Sequence, residues 1–189
     1  LRTACSQATV WHDSGTPWLR VAVNISARQF KQDNFVSLIK SILDESGLPP
    51  EYLELELTES TIMERADRNI QTLLELKKLG ITLAIDDFGT GYSSLSYLKH
   101  FPIDRLKIDR SFLRDLTIGG DDAAIAEAII VMAHSLNLGV VAEGVEQEEQ
   151  FDFLHSRNCD TLQGFLMSHP LSVDDVSTLL SQAKPDCST

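Results

Sequence analysis

Residues 53–58 read Leu-Glu-Leu-Glu-Leu-Thr, an alternation of apolar and acidic side chains that is typical of a β-strand. Residues 21–26 (Val-Ala-Val-Asn-Ile-Ser) and 105–109 (Arg-Leu-Lys-Ile-Asp) alternate in the same way. Because successive side chains of a strand point to opposite faces, each of these strands has one apolar face and one polar face. An open sheet covered by helices on both faces would bury the charged groups at great cost. A barrel avoids this cost, since the apolar faces pack against outer helices and the polar faces line the lumen.

Segments of strand length alternate with helical segments along the sequence, which is the pattern of repeated βα units around a parallel sheet. The predicted strands are 19–26, 53–58, 82–86, 105–109, 139–143 and 161–165. The predicted helices are 33–46, 62–79, 93–100, 121–137, 147–156 and 173–182. We therefore predict the α/β class and a (β/α)8 TIM-like barrel. An open doubly wound sheet is the alternative.

The composition narrows the classes of protein and partner. With 189 residues, 43% of them hydrophobic, the chain has the size of one domain. The formal net charge of −12 argues against binding to nucleic acid or to an anionic membrane. No apolar run approaches the ~20 residues of a membrane-spanning helix. The three cysteines lack CxxC spacing, which favours a reducing compartment over a disulfide framework. We therefore expect the cytoplasm. A membrane anchor elsewhere in a longer parent protein is compatible with this expectation.

Polar side chains stand at or just beyond the end of nearly every predicted strand. They are Asn24, Glu56, Asp86, Asp87, Lys107, Asp109, Glu143, Glu146 and Gln163. Active sites of parallel barrels lie at this end of the strands. Several carboxylates meeting there repel one another unless cations neutralise them or some are protonated. Oxygen ligands without thiolates favour Mg²⁺, Mn²⁺ or Ca²⁺ over zinc.

Each of these side chains also has a purely structural interpretation. The adjacent Asp86 and Asp87 could bridge two metal ions ~3.5–4 Å apart, or could bond the backbone of a turn. Lys107 could hold a hydroxide, bind phosphate or neutralise nearby acids. Glu143 could be a metal ligand, a general base or the cap of the next helix. Gln163 could orient a phosphate or a guanine edge, or cap its own turn.

The glutamates around the strand at 53–58 divide by position. Glu56 is the better metal ligand because it lies nearer the open end of the barrel than Glu54. We expect Glu54 to form an ion pair lower in the lumen. Glu59 lies beyond the strand, so we expect it to support a neighbouring loop.

Six segments together closely resemble the EAL-domain family, which are bacterial phosphodiesterases acting on the second messenger cyclic di-GMP. The segments are VNIS (23–26), ELTES (56–60), IDDFGTGYSSL (85–95), LKIDRSF (106–112), AEGVE (142–146) and LQGF (162–165). The resemblance runs from residue 1 to about residue 171, and the order and spacing of DDFGTGYSSL and AEGVE are highly specific. It implies an EAL-type domain at residues 1–182 and a C-terminal tail at residues 183–189.

The resemblance implies two Mg²⁺ or Mn²⁺ ions at the strand ends. Asn24, Glu56 and Asp86 would bind one ion, and Asp86 with Asp87 would bind the second. Lys107 would position the attacking water. The resemblance therefore implies that Asp87 and Lys107 are catalytic residues.

The resemblance also implies roles for the side chains around the ions. Glu143 would act as a base, directly or through metal-bound water. Gln163 and Asp109 would lie beside the substrate. Glu59 would anchor the loop at residues 88–95, and Glu146 would support a loop.

The implied activity is hydrolysis of cyclic di-GMP to linear pGpG, in a homodimer flanked by sensory or regulatory domains. A module that binds cyclic di-GMP without cleaving it is the alternative, and a barrel enzyme acting on another phosphorylated or enolisable substrate is a third hypothesis. The Glu-Ala-Leu tripeptide that names the family is not in the sequence. Residues 1–11 look like mid-helix without an initiator Met, so we expect a fragment whose first barrel strand or strands precede Leu1.

Overall fold

A computed structural model describes residues 1–91, 95–114 and 120–182 of the chain. One parallel sheet contains β1 (Val21–Ile25), β2 (Leu53–Thr58), β3 (Thr82–Phe88), β4 (Arg105–Ile108), β5 (Gly139–Glu143) and β6 (Thr161–Gln163). Its strands are hydrogen-bonded to one another in the order of the sequence. A doubly wound sheet would reverse its strand order at a switch point, so that alternative is wrong for the described residues. The sheet curls into a half-barrel of the predicted TIM-like type.

Helices connect the strands and shield the apolar face of the sheet. They are α1 (Arg2–Asp13), α2 (Ala27–Phe30), α3 (Phe35–Ser46), α4 (Glu59–Met63), α5 (Ala66–Lys78), α6 (Leu95–Leu98), α7 (Ser111–Arg114), α8 (Asp121–Ser135), α9 (Glu148–Ser156) and α10 (Val173–Gln182), with a 3-10 turn at Pro50–Tyr52. The apolar positions of β2, which are Leu53, Leu55 and Leu57, are at most 1% exposed in the core beneath them. None of the helices in the described ranges is both long enough and apolar enough to cross a lipid bilayer.

The predicted elements exist, and their boundaries shift where tertiary contacts decide them. The predicted helix at 62–79 is two helices, because Arg65 takes the non-helical angles φ −143° and ψ 62° between α4 and α5. Strand β3 extends two residues beyond the predicted 82–86, and β6 ends two residues before the predicted 165. The short helices α2 and α7 were not predicted. Ser26 begins α2, and its hydroxyl accepts a hydrogen bond from the Gln29 amide at 3.3 Å.

At the N-terminal edge of the sheet, two aspartates tie neighbouring βα units together in the same way. Asp104, just before β4, accepts hydrogen bonds from Lys77 Nζ at 2.7 Å and from the backbone N–H of the second residue of β3 at 2.8 Å. Asp160, just before β6, lies 3.0 Å from His134 Nε2 and accepts from the second residue of β5 at 2.7 Å. Each carboxylate therefore joins the start of one strand to the preceding strand and helix.

Candidate active site

The C-terminal edge of the sheet gathers the predicted polar residues because its strands are parallel and in sequential register. Asn24 pairs with Glu56 across β1 and β2, and Glu143 pairs with Gln163 across β5 and β6. Lys107 is level with the middle of β5. In a curled parallel sheet, side chains of one face converge on the lumen, so strand ends far apart in sequence share one site.

Lys107 is the centre of this site and is only 2% exposed. Its Nζ lies 2.6 Å from Glu143 Oε1, 2.7 Å from Glu56 Oε1 and 3.3 Å from Asp86 Oδ1. Burial favours the neutral amine, but the hydrogen bonds to Glu143 and Glu56 outweigh burial and raise the pKa of Lys107 above its usual range. The side chain is therefore a fixed cation that donates hydrogen bonds to Glu143 and Glu56 and forms an ion pair with Asp86 on a third strand.

A β-bulge places two consecutive aspartates at the same site. Ile85 pairs with Leu106, and Phe88 pairs with Ile108. Asp86 and Asp87 therefore both stand opposite one residue of β4, Lys107. Asp87 takes the left-handed φ of 54°, and its backbone N–H donates to Asp86 Oδ1 at 3.0 Å.

The bulge brings the two aspartates together with a glutamate from β5. Oxygen atoms of Asp86, Asp87 and Glu143 lie within 4.8 Å of one another. Burial, followed by the charges of Asp86 and Asp109, raises the pKa of Asp87. Burial also raises the pKa of Glu143, against the hydrogen bond from Lys107. Burial is the main cause in both carboxyls, and the neighbouring carboxylates add to it.

The donor set fits hard divalent cations. Glu56, Asp86, Asp87 and Glu143 contribute four carboxylates against one ammonium, and all their donor atoms are oxygens. Cations bound among them would offset the mutual repulsion of these carboxylates. The structure therefore supports a metal site of the predicted chemistry, although the donors alone do not choose between Mg²⁺ and Mn²⁺.

Glu54 lies deeper in the half-barrel than Glu56. Its Oε2 is 3.5 Å from Arg105 Nε and 3.9 Å from Arg20 Nη1, which agrees with the expected ion pair lower in the lumen. Burial raises the pKa of Glu54 despite these two cations. The same Oε2 atom is buried without a hydrogen bond in the described structure, so the pairing is electrostatic.

Glu59 contacts the loop that follows the aspartate pair. It is 3% exposed, and its Oε2 accepts a hydrogen bond from the Gly89 backbone at 3.0 Å. A Cβ atom on Gly91 would lie 2.5 Å from Glu59 Oε1, so the carboxylate would have to shift to admit a side chain there. The rest of the predicted loop, residues 92–94, lies outside the described residues.

The remaining predicted residues surround this centre. Asp109 accepts a hydrogen bond from the Ser111 amide at 2.9 Å. Burial opposes its ionisation, but the hydrogen bonds from Ser111 outweigh burial and lower the pKa of Asp109. Asp109 and the exposed Glu146 line a pocket of about 500 Å³ beside the site. Asn24 and Gln163 are exposed on β1 and β6, and no hydrogen bond or ion pair of the described residues joins their side chains to Lys107.

The pocket also contains residues that were not predicted. Arg110, Ser111 and Gln150 line it. Arg110 and Ser111 lie inside the LKIDRSF segment, which could have marked them, whereas Gln150 is one of several polar residues in its helix and carries no local signal.

The fold and the site define an α/β half-barrel with an acidic, lysine-centred site at its strand ends. The sequence profile of the EAL domain matches residues 1–170, and the chain belongs to this family, as its motifs predict.

Two relatives with long sequence matches are much larger proteins. The signaling protein YkoW of Bacillus subtilis (strain 168) is 51% identical over 168 residues, which cover 89% of this chain and 21% of YkoW. The bifunctional diguanylate cyclase/cyclic di-GMP phosphodiesterase MucR of Pseudomonas aeruginosa is 46% identical over 176 residues, 93% of this chain and 26% of MucR. The chain thus spans about a fifth to a quarter of the length of these relatives.

Solved structures give the same fold. The MucR phosphodiesterase in complex with c-di-GMP matches with a TM-score of 0.90 at 45% identity, covering 93% of this chain and 71% of the other. BlrP1 of Klebsiella pneumoniae, in a manganese/cy-diGMP complex, matches with a TM-score of 0.75 at 32% identity, covering 87% and 43%.

Proposed function

We propose that this chain carries the hydrolytic site of a cyclic di-GMP phosphodiesterase, which opens cyclic di-GMP to linear pGpG with the help of Mg²⁺ or Mn²⁺. The observation that carries the proposal is the buried Lys107 within 3.3 Å of Glu56, Asp86 and Glu143, beside Asp87. Family membership and the phosphodiesterase relatives support the same substrate.

Four side chains have defined parts in holding the metals. Asn24, Glu56 and Asp86 would hold one ion, and Asp86 with Asp87 would hold the second. Bound ions would neutralise charge on the phosphate oxygens and lower the pKa of a water molecule. The close grouping of Asp86, Asp87 and Glu143 fits this assignment. Lys107 offsets part of the repulsion among Glu56, Asp86 and Glu143.

In the proposed reaction, Lys107 on β4 and Glu143 on β5 act on the attacking water. Lys107 stays protonated, so it serves as a hydrogen-bond donor that orients the water and offsets charge on the phosphate. Glu143, 2.6 Å from the lysine, accepts the proton of the water. The water oxygen forms a new bond to phosphorus, the P–O3′ bond breaks, and the 3′ oxygen takes up a proton from solvent. The product is the linear 5′-phosphorylated dinucleotide.

Four further residues would bind substrate or support loops. Gln163 and Asp109 would contact the nucleotide, because Gln163 pairs with Glu143 at the end of β6 and Asp109, just after β4, lies beside Asp87. Glu59 would support the loop after Asp87 through its hydrogen bond to Gly89. Glu146 would support the loop after β5.

The proposal is tested by incubating the chain with cyclic di-GMP and Mn²⁺ and separating the products by chromatography. We expect pGpG from the wild type, none after chelation, and a loss of at least about 10³-fold in Asp86→Asn. Lys40→Met, an exposed substitution in α3, is the control and should keep full turnover. Turnover that survives in Asp86→Asn would contradict the proposal. Binding of cyclic di-GMP by the wild type without turnover would favour the sensor alternative.

Assembly and location are proposed in the same terms. We propose a homodimer within a longer cytoplasmic protein that carries sensory or regulatory domains, consistent with relatives several times longer than this chain. Light scattering of the purified chain tests the dimer, and a single monomer mass at all concentrations would contradict it.

A further inference from the structure

Gln150 is a buried amide that joins two loops of the candidate active site. It lies in the first turn of α9 and is 5% exposed. Its Oε1 accepts hydrogen bonds from the backbone amides of Glu146 at 2.6 Å and Gln147 at 3.0 Å. Its Nε2 donates to the carbonyl oxygen of Leu113 at 2.7 Å, 37 residues earlier in the chain.

Helix capping explains only part of this pattern. Gln147 is the N-cap of α9, and the contact of Gln150 with the Gln147 amide completes a capping box. The contacts with Glu146 and Leu113 lie outside that box. The Leu113 carbonyl belongs to α7, which follows β4, so this side chain connects the loops that follow two adjacent strands.

These two loops adjoin residues of the proposed reaction. The loop after β5 begins directly after Glu143, and α7 begins two residues after Asp109. The loops also touch, since a Cβ on Gly144, whose φ is +73°, would lie only 2.6 Å from Arg110 Cβ. Gly144 permits the two loops to approach this closely, and the hydrogen bonds of Gln150 hold them there.

The loop after β5 is held on its other side by backbone contacts. Val145 donates to the Gln163 carbonyl and accepts from the Leu166 amide, both at 3.0 Å. A Cβ on Gly164 would lie 2.1 Å from the Val145 carbonyl oxygen. Release of the Gln150 contacts would therefore free this loop on the side that faces α7, while the β6 side stays in place.

We propose that Gln150 is a positioning residue that sets Glu143 against Lys107 by holding the loops after β4 and β5 together. The inference rests on the proposed function. A displacement of ~1 Å at a reacting group can reduce a rate ~10²-fold. The hydrogen bonds of Gln150 go to backbone atoms of Glu146, Gln147 and Leu113 and to none of the proposed metal ligands, so its loss should lower kcat and leave KM for cyclic di-GMP nearly unchanged.

Gln150→Glu tests the hydrogen bond that Gln150 donates to Leu113 separately from the two hydrogen bonds that it accepts. The ionised carboxylate keeps both acceptor contacts but faces the Leu113 carbonyl without a proton. We expect kcat to fall about tenfold at pH 8, with KM within about twofold. Unchanged kcat at pH 8 would overturn the proposal.

Gln147→Ala is the matched control for capping. It removes the side chain that caps α9 and leaves the bridge to α7 in place, so we expect a lower Tm with kcat within about twofold of wild type. If Gln147→Ala and Gln150→Glu lose kcat equally, Gln150 acts as a helix cap and the proposal fails.

A second readout does not depend on turnover. If the wild type does not cleave cyclic di-GMP, the proposed function fails, and amide hydrogen exchange still tests the bridge. Gln150→Met should speed exchange both in residues 144–147 and in α7, whereas Gln147→Ala should leave α7 unchanged. Faster exchange confined to residues 144–147 in Gln150→Met would show that no coupling to α7 exists.

Discussion

Lys107 Nζ and Glu143 Oε1 lie 2.6 Å apart, and this ion pair joins two adjacent parallel strands inside the half-barrel. The same ammonium reaches Glu56 on β2 and Asp86 on β3. A single buried cation thus lies within 3.3 Å of acids from three strands. Removing one partner of a buried ion pair leaves the others without compensation, which is far more damaging than removing a surface pair.

Lys107→Met should therefore destabilise the fold as well as abolish turnover. We expect the free energy of unfolding to fall by about 3–5 kcal/mol at pH 8. The loss should be smaller at pH 5.5, because carboxyls crowded together without the ammonium should take up protons more readily in the folded state than in the unfolded state. Urea unfolding at both pH values measures this, with the exposed Lys40→Met as control. Equal midpoints for the two variants would contradict the prediction.

Asp87 combines a proposed metal-binding role with a left-handed backbone, and two substitutions separate these properties. Asn tolerates a φ of 54°, so Asp87→Asn should keep the wild-type Tm within a few degrees while turnover and Mn²⁺ affinity collapse. Asp87→Val should lose turnover and also about 1–2 kcal/mol of stability, because a β-branched residue is strained at that φ. Calorimetry and thermal unfolding measure the two effects. Equal Tm values for both variants would show that the backbone at Asp87 is relaxed.

The meeting of Glu56 and Lys107 could be predicted from sequence, and the arrangement of the aspartates could not. Alternation in residues 53–58 and 105–109 places Glu56 and Lys107 on the polar face, and parallel neighbours in sequential order bring that face together. Alternation also places Asp86 and Asp87 on opposite faces. Their common site depends on the bulge opposite β4, which follows from strand pairing and from a strained φ that no local pattern shows. The strand predicted from sequence ends at residue 86, because two consecutive aspartates break the alternation of apolar and polar side chains there.

The Gln150 bridge was also beyond local prediction. Its partner Leu113 is 37 residues away, and a glutamine in the first turn of a helix predicts a cap and nothing further.

Metal binding should stabilise the fold in proportion to its affinity. At a free Mn²⁺ concentration of 100 times Kd, the gain is about 2.7 kcal/mol for one site, which a thermal shift detects. Asp86→Asn should lose this shift, since Asp86 belongs to both proposed ligand sets. Asp33→Asn, a substitution of an exposed acid paired with Arg68, should retain it. An equal shift in both variants would mean that Mn²⁺ binds elsewhere on the acidic surface.

Asp160 should give a stability contribution that disappears in acid. Burial opposes its ionisation, but hydrogen bonds from His134 and Val140 outweigh burial and lower the pKa of Asp160. A depressed pKa means that the contribution is present above the unfolded value of about 3.9 and is lost as the pH falls through the folded value. Because the pair is half exposed, we expect Asp160→Asn to cost only about 1 kcal/mol at pH 7. Urea midpoints that still differ by the same amount near pH 3 would contradict this origin.

Gly164 should be intolerant of any side chain, because Val145 occupies the space where a Cβ would stand. The added atom would lie 2.1 Å from the Val145 carbonyl oxygen and 2.3 Å from its nitrogen, and these backbone atoms are fixed by the hydrogen bonds to Gln163 and Leu166. Gly164→Ala should thus force the backbone apart and lower the free energy of unfolding by about 1–3 kcal/mol or more. It should also lower turnover, because the displaced segment follows Glu143. Gly139→Ala is the matched control, since its Cβ would meet its nearest neighbour at an ordinary 3.5 Å. Thermal unfolding and turnover of the two variants check the prediction, and similar values for both would show that the approach of Gly164 to Val145 relaxes without loss.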